Sequence, residues 1–258
     1  MKVGIVGLGH VGSAMLELFK DATVYDKYKK IGSIEEINKC DVAFICVPTP
    51  ANDDGSCDVS IVDDILNKVN TDLIILRSTV PIFYTETKVK ELNKKIVFQP
   101  EYYGETVDHP FAKLQDRKWL TLGGEEKAVN KAIEVYQTVY NSNIQIIQVK
   151  SREAELAKYM ENSFLATKVT FCNEFYDIAE KLDINYNKVR EAFVIDPRIG
   201  YSHTFVYKNN RGYKGSCLPK DISSIRYQAK QNNIDTTLLN AVVNKNKTYE
   251  EINEEHYK

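Results

Sequence analysis

Gly7-Leu8-Gly9-His10-Val11-Gly12 sets three glycines at G-x-G-x-x-G spacing, directly after an apolar run (residues 2–6) and directly before a stretch of helical period. The order strand, glycine turn, helix constrains this chain more than any other feature, because it opens a βαβ unit on a parallel sheet. Gly7 permits the tight turn, Gly9 lets the backbone approach a pyrophosphate, and Gly12 allows close packing of helix on strand. Val11 begins the helix, whose N-terminal amides and dipole favour an anion, and His10 and Val11 are expected among the cofactor contacts. Asp26 ends the next apolar run, fourteen residues after Gly12, where a carboxylate accepts from ribose hydroxyls. This favours NAD; Lys27, Lys29 and Lys30 keep a weaker NADP alternative open.

Short β-branched runs alternate with helical stretches as far as residue 148. Strands are predicted at 2–6, 23–25, 42–47, 73–76, 96–98, 119–122 and 144–147, and helices at 11–20, 33–38, 58–70, 85–95 and 125–139. The lysine-rich stretch 88–95 reads as a solvated helix face. From Ser151, a candidate N-cap with Glu153 and Glu155 in the first turn, the texture is helical. Leu156, Tyr159, Met160, Phe164, Leu165, Val169, Phe175, Ile178 and Leu182 recur at helical spacing, as one long helix or two nearly continuous ones. Helices at 186–193, 219–231 and 236–255 follow, with a Gly-, Asn- and Tyr-rich loop at 195–216. The predicted fold is α/β: a Rossmann-type doubly wound parallel sheet (1–148) followed by an all-helical domain (149–258).

Thirty-four Lys and Arg against 36 Asp and Glu leave a net charge of −2, so no basic field invites nucleic acid. The longest apolar runs fall far short of the roughly 20 residues of a membrane span, and glycines break the N-terminus before a signal core can form. A cytoplasmic location is expected, without nucleic-acid or membrane partners. Five cysteines include no CxxC pair and four histidines lack ligand spacing, so neither a disulfide framework nor a metal site is predicted.

Cys40, Cys46 and Cys172 fall in strands or helices and read as small buried hydrophobes, while Cys57 lies in a polar loop without an activating group. Cys217 differs. It stands between the glycine-containing stretch Gly212-Tyr213-Lys214-Gly215-Ser216 and a helix start at Pro219, beside Lys220, and both settings favour the thiolate. Lys158 and Asn162 share a helix face with Leu165 and Val169. Polar groups in an apolar stripe need partners, either another segment's backbone or a developing alkoxide.

Several motifs stand in a familiar order: Cys46-Val47-Pro48-Thr49-Pro50 running into Asp54-Gly55, Arg77-Ser78-Thr79-Val80-Pro81, Pro100-Glu101, Lys158 to Ala166, Asp196-Pro197-Arg198-Ile199-Gly200 and Cys217-Leu218-Pro219-Lys220-Asp221. Over nearly the whole chain they resemble the nucleotide-sugar dehydrogenases of the UDP-glucose/GDP-mannose type, the UDP-glucose members most closely. The resemblance implies NAD-dependent four-electron oxidation of a sugar C6 alcohol, as used in polysaccharide biosynthesis, through a thiohemiacetal and a thioester on Cys217. By that likeness Lys158 and Asn162 stabilise oxyanions, Asp221 supports a water or the lysine, and Glu101 is the acid/base of the hydrolytic stage. Thr79 and Glu105 lie near the nicotinamide or its water, and Val47, Pro48 and Lys220 join the cofactor contacts. Glu101, Glu105, Lys158, Asn162, Tyr213, Gly215 and Cys217 line the sugar side. Arg198 reaches a substrate in a partner subunit, which implies a homodimer through the central helices.

Three departures from the family are expected to matter: its third, nucleotide-gripping domain does not follow Lys258, the segment between Asp26 and Val42 is short, and Lys214 replaces a glycine beside the nucleophile. The alternatives are GDP-mannose or UDP-N-acetylmannosamine as substrate, a two-electron β-hydroxyacid-type dehydrogenase, or an NAD-binding chain without independent activity.

Overall fold

The structure, a computed structural model, describes residues 1–102 and 114–256. Two compact units emerge: Met1–Asn52 with Cys57–Lys158, and Asp53–Ser56 with Tyr159–Lys258.

In the first unit, the elements in chain order are β1 (Val3–Val6), α1 (His10–Leu18), β2 (Thr23–Tyr25), α2 (Ile34–Ile37), β3 (Val42–Ile45), α3 (Ser60–Lys68), β4 (Leu73–Leu76), α4 (Tyr84–Leu92), β5 (Ile96–Phe98), β6 (Trp119–Gly123), α5 (Glu126–Gln137) and β7 (Gln145–Val149). Among the described residues seven strands form one sheet, ordered β2-β1-β3-β4-β5-β6-β7. All neighbours are parallel except β5 and β6, which meet antiparallel at Phe98 and Gly123. The central strands VAFI and LIIL are buried throughout, because helices cover both faces and leave no solvent side for a polar alternation. One core packs Ile5, Met15, Phe44 and Tyr136 beneath α1 and α5; the other packs Val6, Ile45, Leu66 and Phe98 beneath α2, α3 and α4. The winding reverses between β1 and β3, where ligands of such sheets bind at the carboxyl ends of the strands.

The predicted lysine-rich face is more than solvated surface. Lys88 pairs with Asp63 and Glu91, and half-buried Lys94 donates to the carbonyls of Leu66 and Val69, capping the C-terminus of α3.

The long helix is one piece, α6 (Ser151–Lys181). Its cap is Lys150 rather than Ser151: the Lys150 carbonyl accepts from Glu153 and Ala154, and the Glu153 carboxylate returns to the Lys150 N–H at 2.8 Å. Ser151 is drawn inside the helix because it packs against Gly123, where an added Cβ would stand 2.7 Å from Ala154 Cβ and 3.0 Å from Ser151 Cα.

In the second unit α6 continues and is joined by α7 (Tyr186–Val194), α8 (Leu218–Gln231) and α9 (Thr237–His256). Ala166, Tyr213, Ile222 and Val242 form one core, and Cys172, Ala179 and Tyr186 another. The apolar spacing read from the sequence serves two faces of α6. Tyr159, Ala166, Cys172 and Ala179 are buried, whereas Met160, Phe164, Phe175, Ile178 and Leu182 are exposed, because α7, α8 and α9 pack on one side only.

Candidate active site

The cofactor region is built at the ends of β1 and β3. Gly7 has φ +89°, and a Cβ there would lie 2.8 Å from the Cys46 carbonyl oxygen. A Cβ on Gly12 would collide with the Gly7 carbonyl oxygen at 1.8 Å, whereas one on Gly9 would meet nothing within 4 Å. This is a closed floor with an open mouth, and a side chain at Gly9 would fill the space a pyrophosphate needs. Gly9 caps α1 without a side-chain acceptor and no acid occupies the first turn, so the end that carries His10 and Val11 suits an anion. The residues present therefore fit a dinucleotide.

Asp26 stands just past β2 and is buried. Its Oδ2 accepts from the Leu8 N–H at 2.7 Å and its Oδ1 from the Lys29 N–H at 2.8 Å, while Lys29 Nζ donates to the Leu8 carbonyl at 2.6 Å. Burial pushes its carboxyl up, but the N–H groups of Leu8, Lys29 and Tyr28 and the Lys29 charge together hold it below the usual carboxylate range. Asp26 thus ties β2 to the glycine turn, and its carboxylate keeps acceptor capacity for a ribose hydroxyl.

Val47 is buried and Pro48 exposed beyond β3. Ser78 Oγ donates to the Val47 carbonyl at 2.7 Å, binding that turn to the segment that carries Thr79. Cys57, expected in an open polar loop, is buried, with its thiol donating to the Thr79 carbonyl at 3.6 Å. Glu101 forms ion pairs with Arg77 and Arg117, both buried, and Arg77 also reaches Gln99 and Tyr136. Two buried guanidiniums thus compensate the one Glu101 carboxylate. Lys158, buried near the end of this unit, holds Nζ 5.0 Å from the Tyr102 ring centroid. Glu105 lies outside the described residues.

In the second unit Cys217 is exposed at the N-cap of α8, with Pro219 in the first turn and Sγ 3.6 Å from Ser216 Oγ. The other four cysteines are buried. Burial pushes the Cys46 thiol up to about 12, far from a nucleophile. Asn162 Nδ2 donates to Asp221 Oδ2 at 2.5 Å, and Lys220 Nζ lies 3.0 Å from Asp221 Oδ1. Asp221, one turn past the thiol, is thus a polar partner of Asn162, and Lys220 lies against the same carboxylate.

The loop approaching Cys217 is pinned by Arg211, which donates to Asn173 and Asp177 between the rings of Tyr176 and Tyr249. Asn246 pairs with the backbone of Tyr213 in both directions. The Tyr213 ring was expected to line a sugar pocket; it sits in the helical core, because Ala166, Ile222 and Val242 leave it an apolar slot. Gly215, at φ +87°, has open space around it. Gly55 of the Asp54-Gly55 motif lies against Ser223 of α8, whose Oγ would be 2.6 Å from a Cβ. The Arg198 side chain is 86% exposed and forked onto Asp196, while Lys168 Nζ holds the carbonyls of Ile199 and Gly200. Sequence reasoning does not single out Arg117 or Lys168, and it reads Arg77 only as part of a motif and Glu155 only as a first-turn acid. Each acts across a large sequence separation, which leaves no local signal.

The doubly wound sheet with its glycine turn and the Asp26 carboxylate beside it is of the dinucleotide-binding type. Residues 14–144 match the NAD binding domain of the UDP-glucose/GDP-mannose dehydrogenase family and residues 152–248 match its central domain, and the chain belongs to that family. A UDP-glucose 6-dehydrogenase of Rickettsia bellii is 31% identical over 83% of this chain and 50% of its own length. The chain therefore spans about half the length of the curated relatives it matches. A UDP-glucose dehydrogenase structure from Pyrobaculum islandicum superposes with a TM-score of 0.81 at 26% identity, covering 96% of this chain and 68% of that one. A UDP-D-ManNAc dehydrogenase from Pyrococcus horikoshii gives 0.80 at 22% identity over the same shares, a likeness of fold. No helix among the described residues is long and apolar enough to cross a membrane.

Proposed function

We propose that this chain oxidises the C6 hydroxyl of a nucleotide sugar, UDP-glucose first among them, to a carboxylate in two NAD-dependent steps. The observation that carries this reading is the exposed Cys217 at a helix N-terminus, one turn from the buried Asn162–Asp221 pair and the Lys220 beside it. NAD, bound by the glycine turn and Asp26, supplies the hydride acceptor for each step. Asn162 and Lys158 donate to the substrate oxygen as negative charge develops on it. Loss of the C6 hydride, with the hydroxyl proton passing to solvent, leaves an aldehyde; the Cys217 thiolate adds to its carbon, forming a C–S bond while the oxygen takes up a proton. Loss of a second hydride, with the hydroxyl proton passing to solvent, leaves a thioester; a water whose proton passes to Glu101 adds to it and the C–S bond breaks, releasing the acid and the Cys217 thiolate.

The exposed stripe on α6 forms an apolar face of the kind that marks an interface. We read it as the contact of a homodimer in which Arg198 serves the partner's substrate.

Purified protein incubated with NAD and UDP-glucose, GDP-mannose or UDP-N-acetylmannosamine should release two NADH per sugar with one of them. Hydroxylamine should trap the thioester, and Cys217→Ser should abolish acid formation with NAD affinity unchanged. One NADH per sugar with no trapped ester overturns the mechanism.

A further inference from the structure

Glu155 is fully buried in the second turn of α6, with both carboxylate oxygens engaged. Oε2 accepts from the Phe83 N–H at 2.7 Å and Oε1 from the Thr85 N–H at 2.9 Å. These amides open α4, whose own cap residue Phe83 is left-handed at φ +73° and gives no side-chain acceptor. Arg152, one turn earlier on the same face of α6, forks onto Glu86 at 2.7 and 2.6 Å and lies over the Phe83 ring. α6 therefore grips the first turn of α4 at two places.

A Ser or Asp at the N-cap would satisfy the same amides locally, without taking a carboxylate out of water. A buried glutamate from a distant segment incurs that desolvation, which pushes its carboxyl up against the pull of the α4 amides. What it adds over a local cap is registration. Thr79 precedes Phe83 by four residues, through the buried Val80, and Lys158 follows Glu155 by one helical turn. The Glu155 carboxylate therefore joins the segment that carries Thr79 to the turn that carries Lys158.

We propose that Glu155 is a positioning residue, a strut that sets the oxyanion donor Lys158 against the cofactor-side Thr79 segment. This rests on the roles given to those two residues under the proposed function. A misplacement of about 1 Å in such a pair is enough to slow chemistry roughly a hundredfold.

The test uses Glu155→Gln and the shorter-reaching but charged Glu155→Asp. In Glu155→Gln, amide exchange should speed at Phe83, Thr85 and Thr79. The kcat of the folded protein should fall by about tenfold or more, with KM for NAD and sugar held within about threefold and a larger isotope effect from a C6-deuterated sugar. Glu155→Asp should fall between, and carries the same measurements if the glutamine variant does not fold. Unchanged exchange at those amides, or a variant that loses thermal stability while the folded fraction keeps its kcat, overturns the strut. A wild-type chain that oxidises no nucleotide sugar defeats the proposed function instead, and the exchange at Phe83, Thr85 and Thr79 then decides the strut alone.

Discussion

Gly9 and Gly12 lie three positions apart and are held to glycine for opposite reasons. At Gly12 the obstacle is the chain itself, the Gly7 carbonyl oxygen 1.8 Å from a would-be Cβ, so Gly12→Ala should cost about 3 kcal/mol or more in urea unfolding. At Gly9 the space is open, so Gly9→Ala should shift stability by no more than about 1 kcal/mol while weakening NAD binding at least tenfold, read by calorimetry. Equal stability losses in the two variants would refute this division. Asp26 couples the same turn to pH. Its folded carboxyl lies below its unfolded value of 3.8, so its contribution is present above that pH and drains away as pH falls through the folded value. Asp26→Asn should lose about 2 kcal/mol at pH 7, and the gap to wild type should close as the pH drops below 4. The glycine spacing and Asp26 were legible because their partners lie in one βαβ unit. Glu155 passed as an ordinary first-turn acid, since its partners Phe83 and Thr85 are some 70 residues away.

The strands and helices follow the sequence pattern within a residue or two at most boundaries, because short β-branched runs and 3.6-residue spacing register directly in backbone preference and burial. The start of α6 departs from it through packing. With Gly123 pressed against Ala154 and Ser151, the first helical turn is drawn onto β6 and the cap moves back to Lys150. Gly123→Ala should cost about 1–3 kcal/mol, measured as a lower denaturation midpoint. Periodicity placed apolar residues along α6 but not the face each occupies. Tyr159 is buried, its hydroxyl hydrogen-bonded to Ser224 of α8, and Met160, its neighbour, is exposed.

At the scale of the whole molecule, the exposed face of α6 predicts association. Sedimentation equilibrium at micromolar concentration should give a dimer, and the double change Phe164→Glu with Phe175→Glu should give a folded monomer with lower turnover, since Arg198 would then lack a partner's site. A wild-type monomer would remove the dimer and the trans role of Arg198 together. By itself the sequence determined the α/β architecture, the glycine cradle and the placing of Cys217, alone of five cysteines, beside a helix start. Each of these is written in short-range order: strand, turn and helix within about twenty residues, or a thiol beside a helix start. Only the tertiary structure decided that Asn162 meets Asp221, that Arg77 and Arg117 flank Glu101, that the Tyr213 ring belongs to the core, and that Glu155 caps a helix far along the chain. Such contacts join residues that are distant in sequence, and what selects them is the need of each buried polar group for a partner, which composition and spacing do not specify.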